Sequence, residues 1–147
     1  GTHRTPRQTS RNSSPVARAT RRAITAAIDR IADLYFAKGM KCMREGDYHN
    51  AIQYGKLAIS HNASNARYYC LLADCQVRNP EARWQRMAEQ NYARATELDP
   101  WNADYWISLG RFYKKRGLKL RARKQFEEAL KLVPEHDEAT KELEALR

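Results

Sequence analysis

The chain is poor in the residues that carry chemistry. It holds three cysteines, Cys42, Cys70 and Cys75, and no C-x-x-C pair. An odd number without metal-ligand spacing reads as reduced, mostly buried small side chains, and favours a reducing compartment. A cytoplasmic address is therefore expected. His3, His49, His61 and His136 are scattered, with no H-E-x-x-H spacing, so no metal centre is expected. There is no Gly-rich phosphate loop, no G-x-S-x-G, and no Ser, Cys or His set at an interpretable spacing. These absences argue against catalysis, and no cofactor is expected. No run approaches the roughly 18 consecutive apolar residues of a membrane helix. The opening "GTHRTPRQTSRNSSPV" lacks the apolar core of a signal peptide. Nor does the chain begin with Met, so it is expected to be a piece of a longer protein.

Positive charge, by contrast, is abundant. The formal net charge of the 147 residues is +10. Residues 1–30 carry seven Arg against Asp29 alone, giving +6, and the remaining 117 residues carry 20 basic and 16 acidic side chains, giving +4. Such a balance attracts acidic partners of every kind and does not by itself separate nucleic acid from acidic protein. Residues 1–14, rich in Thr, Ser, Arg, Asn and Pro, read as a flexible basic tail or linker. A phosphate-binding arm is the alternative, although the tail has no Tyr or Phe for stacking on bases.

Beyond the tail the sequence repeats. Tyr35, Tyr69 and Trp106 recur at steps of 34 and 37, as do Gly39, Ala73 and Gly110. Ala51, Ala88 and Ala122 recur at 37 and 34, followed by Ala58, Ala95 and Ala129, then by Ala63, Pro100 and Pro134. Independent columns thus share a 34-residue period with one three-residue insertion between Ala73 and Ala88. Each unit predicts two antiparallel helices held close by small residues, and "ELDPWNA" and "KLVPEHD" predict helix ends before Pro. In "RNPEARW" at the insertion, Asn79 is expected to cap, and Pro80 to open, a second helix that starts about one turn early. Trp84 on that extra turn is expected to pack against its own repeat.

This pattern resembles the tetratricopeptide repeat, W-x2-L-G-x2-Y, then A-x3-F, then P. The third unit carries it most fully, with Trp106, Leu109, Gly110 and Tyr113, then Ala122, Phe126, Ala129 and Pro134. The first departs most, having Gly55 where Tyr92 and Phe126 stand. The resemblance implies an all-α, right-handed superhelix of helix pairs. The units are then residues 32–65, 66–102 (with the insertion) and 103–136, with a capping helix over 137–147. Ile24, Ile28, Ile31 and Tyr35 form one apolar stripe with no breaker between Val16 and Arg30, so a helix over 15–31 is expected to run into, or abut, the first repeat.

The resemblance further implies a non-catalytic scaffold whose first helices line a concave groove for a peptide or partner helix. Its groove positions fall on Asp33, Phe36, Met40, Met43 and Arg44, then Arg67, Cys70, Asp74, Val77 and Arg78. In the third repeat they are Asp104, Ile107, Arg111, Lys114 and Lys115. This wall is apolar at one end and basic at the other, which implies acidic or amphipathic ligands. Repeats that hold chaperone C-terminal tails carry Lys, Arg or Asn at positions occupied here by Phe36, Met40, Leu71, Asp104 and Ser108, so no such clamp is expected. Self-association through the stripe of the N-terminal helix is a further alternative. The stretch "RFYKKRGLKLRARK", residues 111–124, holds eight positive side chains. It reads as a helical hairpin with charge on several faces, of which Arg111, Lys114 and Lys115 point to the groove. The repeat style is similar to repeats found in bacterial multidomain proteins.

Overall fold

A computed structural model describes residues 14–147, and the expected basic tail lies outside them but for its last residue. Seven helices, and no strand, form among the described residues: α1 Pro15–Arg44, α2 Tyr48–His61, α3 Ala66–Gln76, α4 Ala82–Leu98, α5 Ala103–Lys115, α6 Lys119–Leu132 and α7 Asp137–Ala145. Each packs against the next in the chain, so α1–α2, α3–α4 and α5–α6 are stacked hairpins and α7 closes the row. This is an all-α solenoid. Ser14 starts α1 by accepting from the Ala17 amide (3.1 Å), with Pro15 in the first turn where its missing N–H costs nothing. Asp47, Asn65, Asn102 and His136 cap α2, α3, α5 and α7 in the same way.

The small-residue columns are the contacts between helices. Ala51, Ala88 and Ala122, and likewise Ala58, Ala95 and Ala129, are all fully buried. At Gly110 an added Cβ would stand 2.6 Å from Cε1 of Phe126, so the Phe ring lies directly on the α5 backbone. The departure in the first repeat has the same logic. A Cβ on Gly55 would stand 2.9 Å from Cδ2 of Leu72, so a side chain of the next repeat fills the space that Tyr92 and Phe126 fill elsewhere.

One feature decides between the two alternatives left open at the N-terminal helix, and one differs from the sequence reading. First, α1 has no break at residue 31; the N-terminal segment and the first repeat helix are one rod of 30 residues. Second, Asn79 does not cap a helix. Its Oδ1 accepts from the Glu81 amide (3.0 Å) in a local turn, Pro80 lies outside α4, and Glu81 is an N-cap without a side-chain bond. The insertion nevertheless lengthens α4 to 17 residues, against 14 in α2 and in α6. Its cause is legible in the turns. Gly46 and Gly117 turn the first and third hairpins at φ 78 and 75. Pro80 occupies the corresponding place in the second, and its ring forbids positive φ. Trp84 packs half-buried beside Tyr48, Ile52 and Cys75, reaching back to the first repeat.

Two glycines separate close approach from backbone conformation. Gly110→Ala is expected to lower stability by about 1–3 kcal/mol through overpacking against Phe126. Gly117→Ala meets no neighbour and is expected to lose about 1–2 kcal/mol through left-handed strain alone. Urea unfolding of both variants, each combined with Phe126→Leu, checks this: the added mutation should relieve only the first.

Candidate peptide-binding groove

A groove of about 1180 Å³ runs along the first helices of the repeats, from Met43 at the end of α1, across α3 and α5, to Glu142 on α7. Of the residues expected there, Met43, Asp74, Val77, Arg78, Arg111, Lys114 and Lys115 line it. Met43 closes α1, Asp74 lies in the last turn of α3 with Val77 and Arg78 just beyond it, and Arg111, Lys114 and Lys115 lie along α5.

The other expected positions go elsewhere. Ile107 is buried in the core with Ala73, and Cys70 and Val77 pack at the edge of that cluster, so Ile107 offers no surface to a ligand. An unbranched charge stays in water at such a site, whereas an apolar Ile is drawn into the space between neighbouring helices. Phe36 and Met40 are half-buried against the cluster formed by α2 and α3. The Phe36 ring also packs, tilted, against the Tyr68 ring at 5.4 Å and lies 5.0 Å below the Arg67 guanidinium. Arg67 in turn pairs with Asp33 (3.1 Å), which also accepts from the Tyr68 hydroxyl. Arg44 is exposed at the end of α1 but does not line the groove, and Asp104 is exposed near His136 (4.0 Å).

One acid, Asp74, stands half-buried in the groove. Asp74 Oδ1 accepts from the Tyr92 hydroxyl (2.6 Å). Burial pushes the Asp74 carboxyl up, against the opposing pull of that hydrogen bond and of Arg78. Burial also pushes the neighbouring Cys70 thiol up to about 12, with Asp74 adding to it, so the thiol stays protonated and a poor nucleophile.

The basic wall is partly occupied by the chain itself. Arg111 donates from Nη2 to Glu138 (3.0 Å) and from Nε to Glu142 (3.3 Å), and Lys114 Nζ donates to the same Glu142 (2.9 Å). Among the described residues Lys115 makes no ion pair, Arg116 reaches Gln85 (3.4 Å) and the Phe112 ring (5.8 Å), and Arg78 covers the Tyr48 ring (5.0 Å). Sequence reasoning missed Gln85, Tyr92, Phe112 and Glu142 as lining residues. Tyr92 and Phe112 also serve packing, with ring centroids 5.9 Å apart.

The Glu142 carboxyl carries a pH signature. Burial pushes it up, but hydrogen bonds and charge from Lys114 and Arg111 outweigh that and hold it below its ordinary 4.5. A depressed carboxyl stabilises the folded state above its unfolded value, and this contribution is lost as pH falls through the folded value. Docking of α7 is therefore expected to loosen only below about pH 4.5. Amide exchange of residues in α7 reads this locally, and Glu142→Gln should flatten the dependence. Asp74, shifted in the opposite sense, acts with the opposite sign, which is why global stability is the poorer readout.

Comparison with known proteins gives a consistent picture. The tetratricopeptide-repeat family model matches residues 32–65 and 103–136. No curated protein matches the chain. Among solved structures, the TPR domain of Arabidopsis OM64 superimposes with a TM-score of 0.70 at 23% identity, covering 82% of this chain and 97% of that one. The second TPR domain of human RPAP3, in complex with the HSP70 peptide SGPTIEEVD, gives 0.70 at 22% identity over 80% and 97%. The Yersinia enterocolitica type III secretion chaperone SycD, in complex with a peptide of the translocator YopD, gives 0.68 at 14% identity over 78% and 90%. The intervening residues 66–102 form the same kind of hairpin, α3–α4, stacked between the two matched units. With its repeated columns and stacked hairpins, the chain has the tetratricopeptide-repeat fold, and its first and third units match the model of that family.

Proposed function

We propose that the chain is a non-catalytic scaffold that binds an acidic or amphipathic segment of another protein in the groove along α3 and α5. The observation that carries this is the groove lining. Arg78, Arg111, Lys114, Lys115 and Arg116 stand against only Asp74 and Glu142, around an apolar floor of Met43, Val77 and Phe112. Cations above an apolar floor suit a ligand with carboxylates on one side and aliphatic side chains on the other. The peptide complexes of human RPAP3 and of SycD support this use of the fold. The mode differs from capture of a chaperone's C-terminal carboxylates, because Phe36, Met40, Leu71, Asp104 and Ser108 supply no cation or amide there.

Fluorescence anisotropy with a labelled acidic amphipathic peptide tests the reading on the full chain. Arg111→Glu combined with Lys115→Glu is expected to weaken binding at least about tenfold, or about 1.4 kcal/mol. Glu142→Gln frees Arg111 and Lys114 from an internal competitor and is expected to raise affinity about two- to fivefold, the scale of a half-exposed ion pair. Unchanged capture by the double variant removes the basic wall from the site. Stronger binding to a generic duplex, falling steeply with log salt, overturns the reading in favour of nucleic acid.

A further inference from the structure

Among the described residues, no helix packs along the first half of α1. Tyr35 is the point where α2 ends against it: its ring stacks on Tyr54 (6.3 Å) and on His61 (5.5 Å), the last residue of α2. Residues 15–30 project past that point by roughly 24 Å. Along this overhang the stripe that α2 covers further down continues bare. Val16, Ile24 and Ile28 are 77, 54 and 38% exposed, and Ile31 and Leu34, just beyond the overhang, are 43 and 64% exposed. Scattered exposed aliphatics are ordinary, but an aligned row on one helix face is not. Ala27 lies beside the row and leaves space for a second backbone to approach.

We propose that this overhang is a second docking site, separate from the groove, and that its occupant is an acidic amphipathic helix of another protein, seated end to end with α2. Continuity with the α1–α2 interface argues for a helix, because the uncovered row has the spacing that already receives one. Charge argues for its chemistry. At 3.6 residues per turn Arg18 and Arg30 bracket the stripe and Arg22 lies behind it, while Asp29 is the one acidic residue of the segment. Arg stems lie along apolar surface while their heads reach outward, so a helix with Glu or Asp beside its own aliphatic row completes both parts of the site. A second copy would bring the same arginines together with only Asp29 of each to oppose them, and like charges set side by side are destabilising. The proposal is independent of what the groove binds.

The test uses the full chain and two synthetic helical peptides of about sixteen residues, matched to the overhang. Both carry the same leucine stripe, flanked by Glu in one and by Lys in the other. Anisotropy should show the Glu peptide binding at least about tenfold more tightly than the Lys peptide. Ile24→Asp with Ile28→Asp should abolish that preference, and the milder Ile28→Thr should weaken it, with circular dichroism confirming that helix is retained. All of these are read in the background of Arg111→Glu with Lys115→Glu, so that binding of the acidic peptide in the groove does not enter. Failure of the Glu peptide to bind in that background, or equal binding of the two peptides, overturns the proposal. So does sedimentation of the chain alone as a dimer that Ile24→Asp, Ile28→Asp dissociates, which assigns the stripe to a second copy. Co-sedimentation with phosphatidylcholine–phosphatidylserine vesicles that the same variant abolishes overturns it in favour of a lipid surface.

Discussion

Everything in this structure depends on how closely its helices approach. An α-helix pair can bury an apolar face only if side chains at the crossing leave room for the second backbone. Here the crossings are made at Gly39, Ala51, Ala88, Gly110 and Ala122, all fully or nearly fully buried. Close approach leaves pockets beside each crossing, and rings fill them: Phe126 rests on Gly110, and Tyr92 packs near Phe112. With hairpins fixed at this spacing, the first helices are aligned on one side of the stack. The groove follows from that alignment rather than from any residue within it.

How far this was legible in the sequence depends on the range of the interaction. Backbone crossings demand small residues at fixed intervals, so the columns and the 34-residue period declared the fold. Pro100 and Pro134 marked helix ends because their effect is local. The Asn79–Pro80 turn was misread although it too is local. Asn79 serves both a helix cap and an Asx turn, and only the positions of Glu81 and Ala82 decide between them. The groove was half legible. Asp74, Val77, Arg78, Arg111, Lys114 and Lys115 line it, whereas Ile107 is drawn into the core and Phe36 is claimed by Tyr68 and Arg67.

The least legible feature is the hold of α7 on the basic wall. Glu138 and Glu142 stand 27 to 31 residues from Arg111, and nothing in periodicity says that a solvated helix face will turn its acids inward. The consequence is electrostatic. A stretch that reads as an uncompensated cluster of cations is divided into satisfied members, Arg111 and Lys114, and freer ones, Lys115 and Arg116. The same helix that covers the open end of the solenoid, through Ala139 and Leu146, thereby sets the charge a ligand meets.

The central claim is that recognition belongs to the concave face made by the first helices. The most direct measurement is a ¹H–¹⁵N NMR titration of the chain with an acidic amphipathic peptide. Recognition on that face predicts shifts concentrated at Met43, Asp74, Val77, Ser108, Arg111 and Lys115, with Glu142 moving as its partners are taken. Shifts confined to the outer surfaces of α2, α4 and α6 would contradict it.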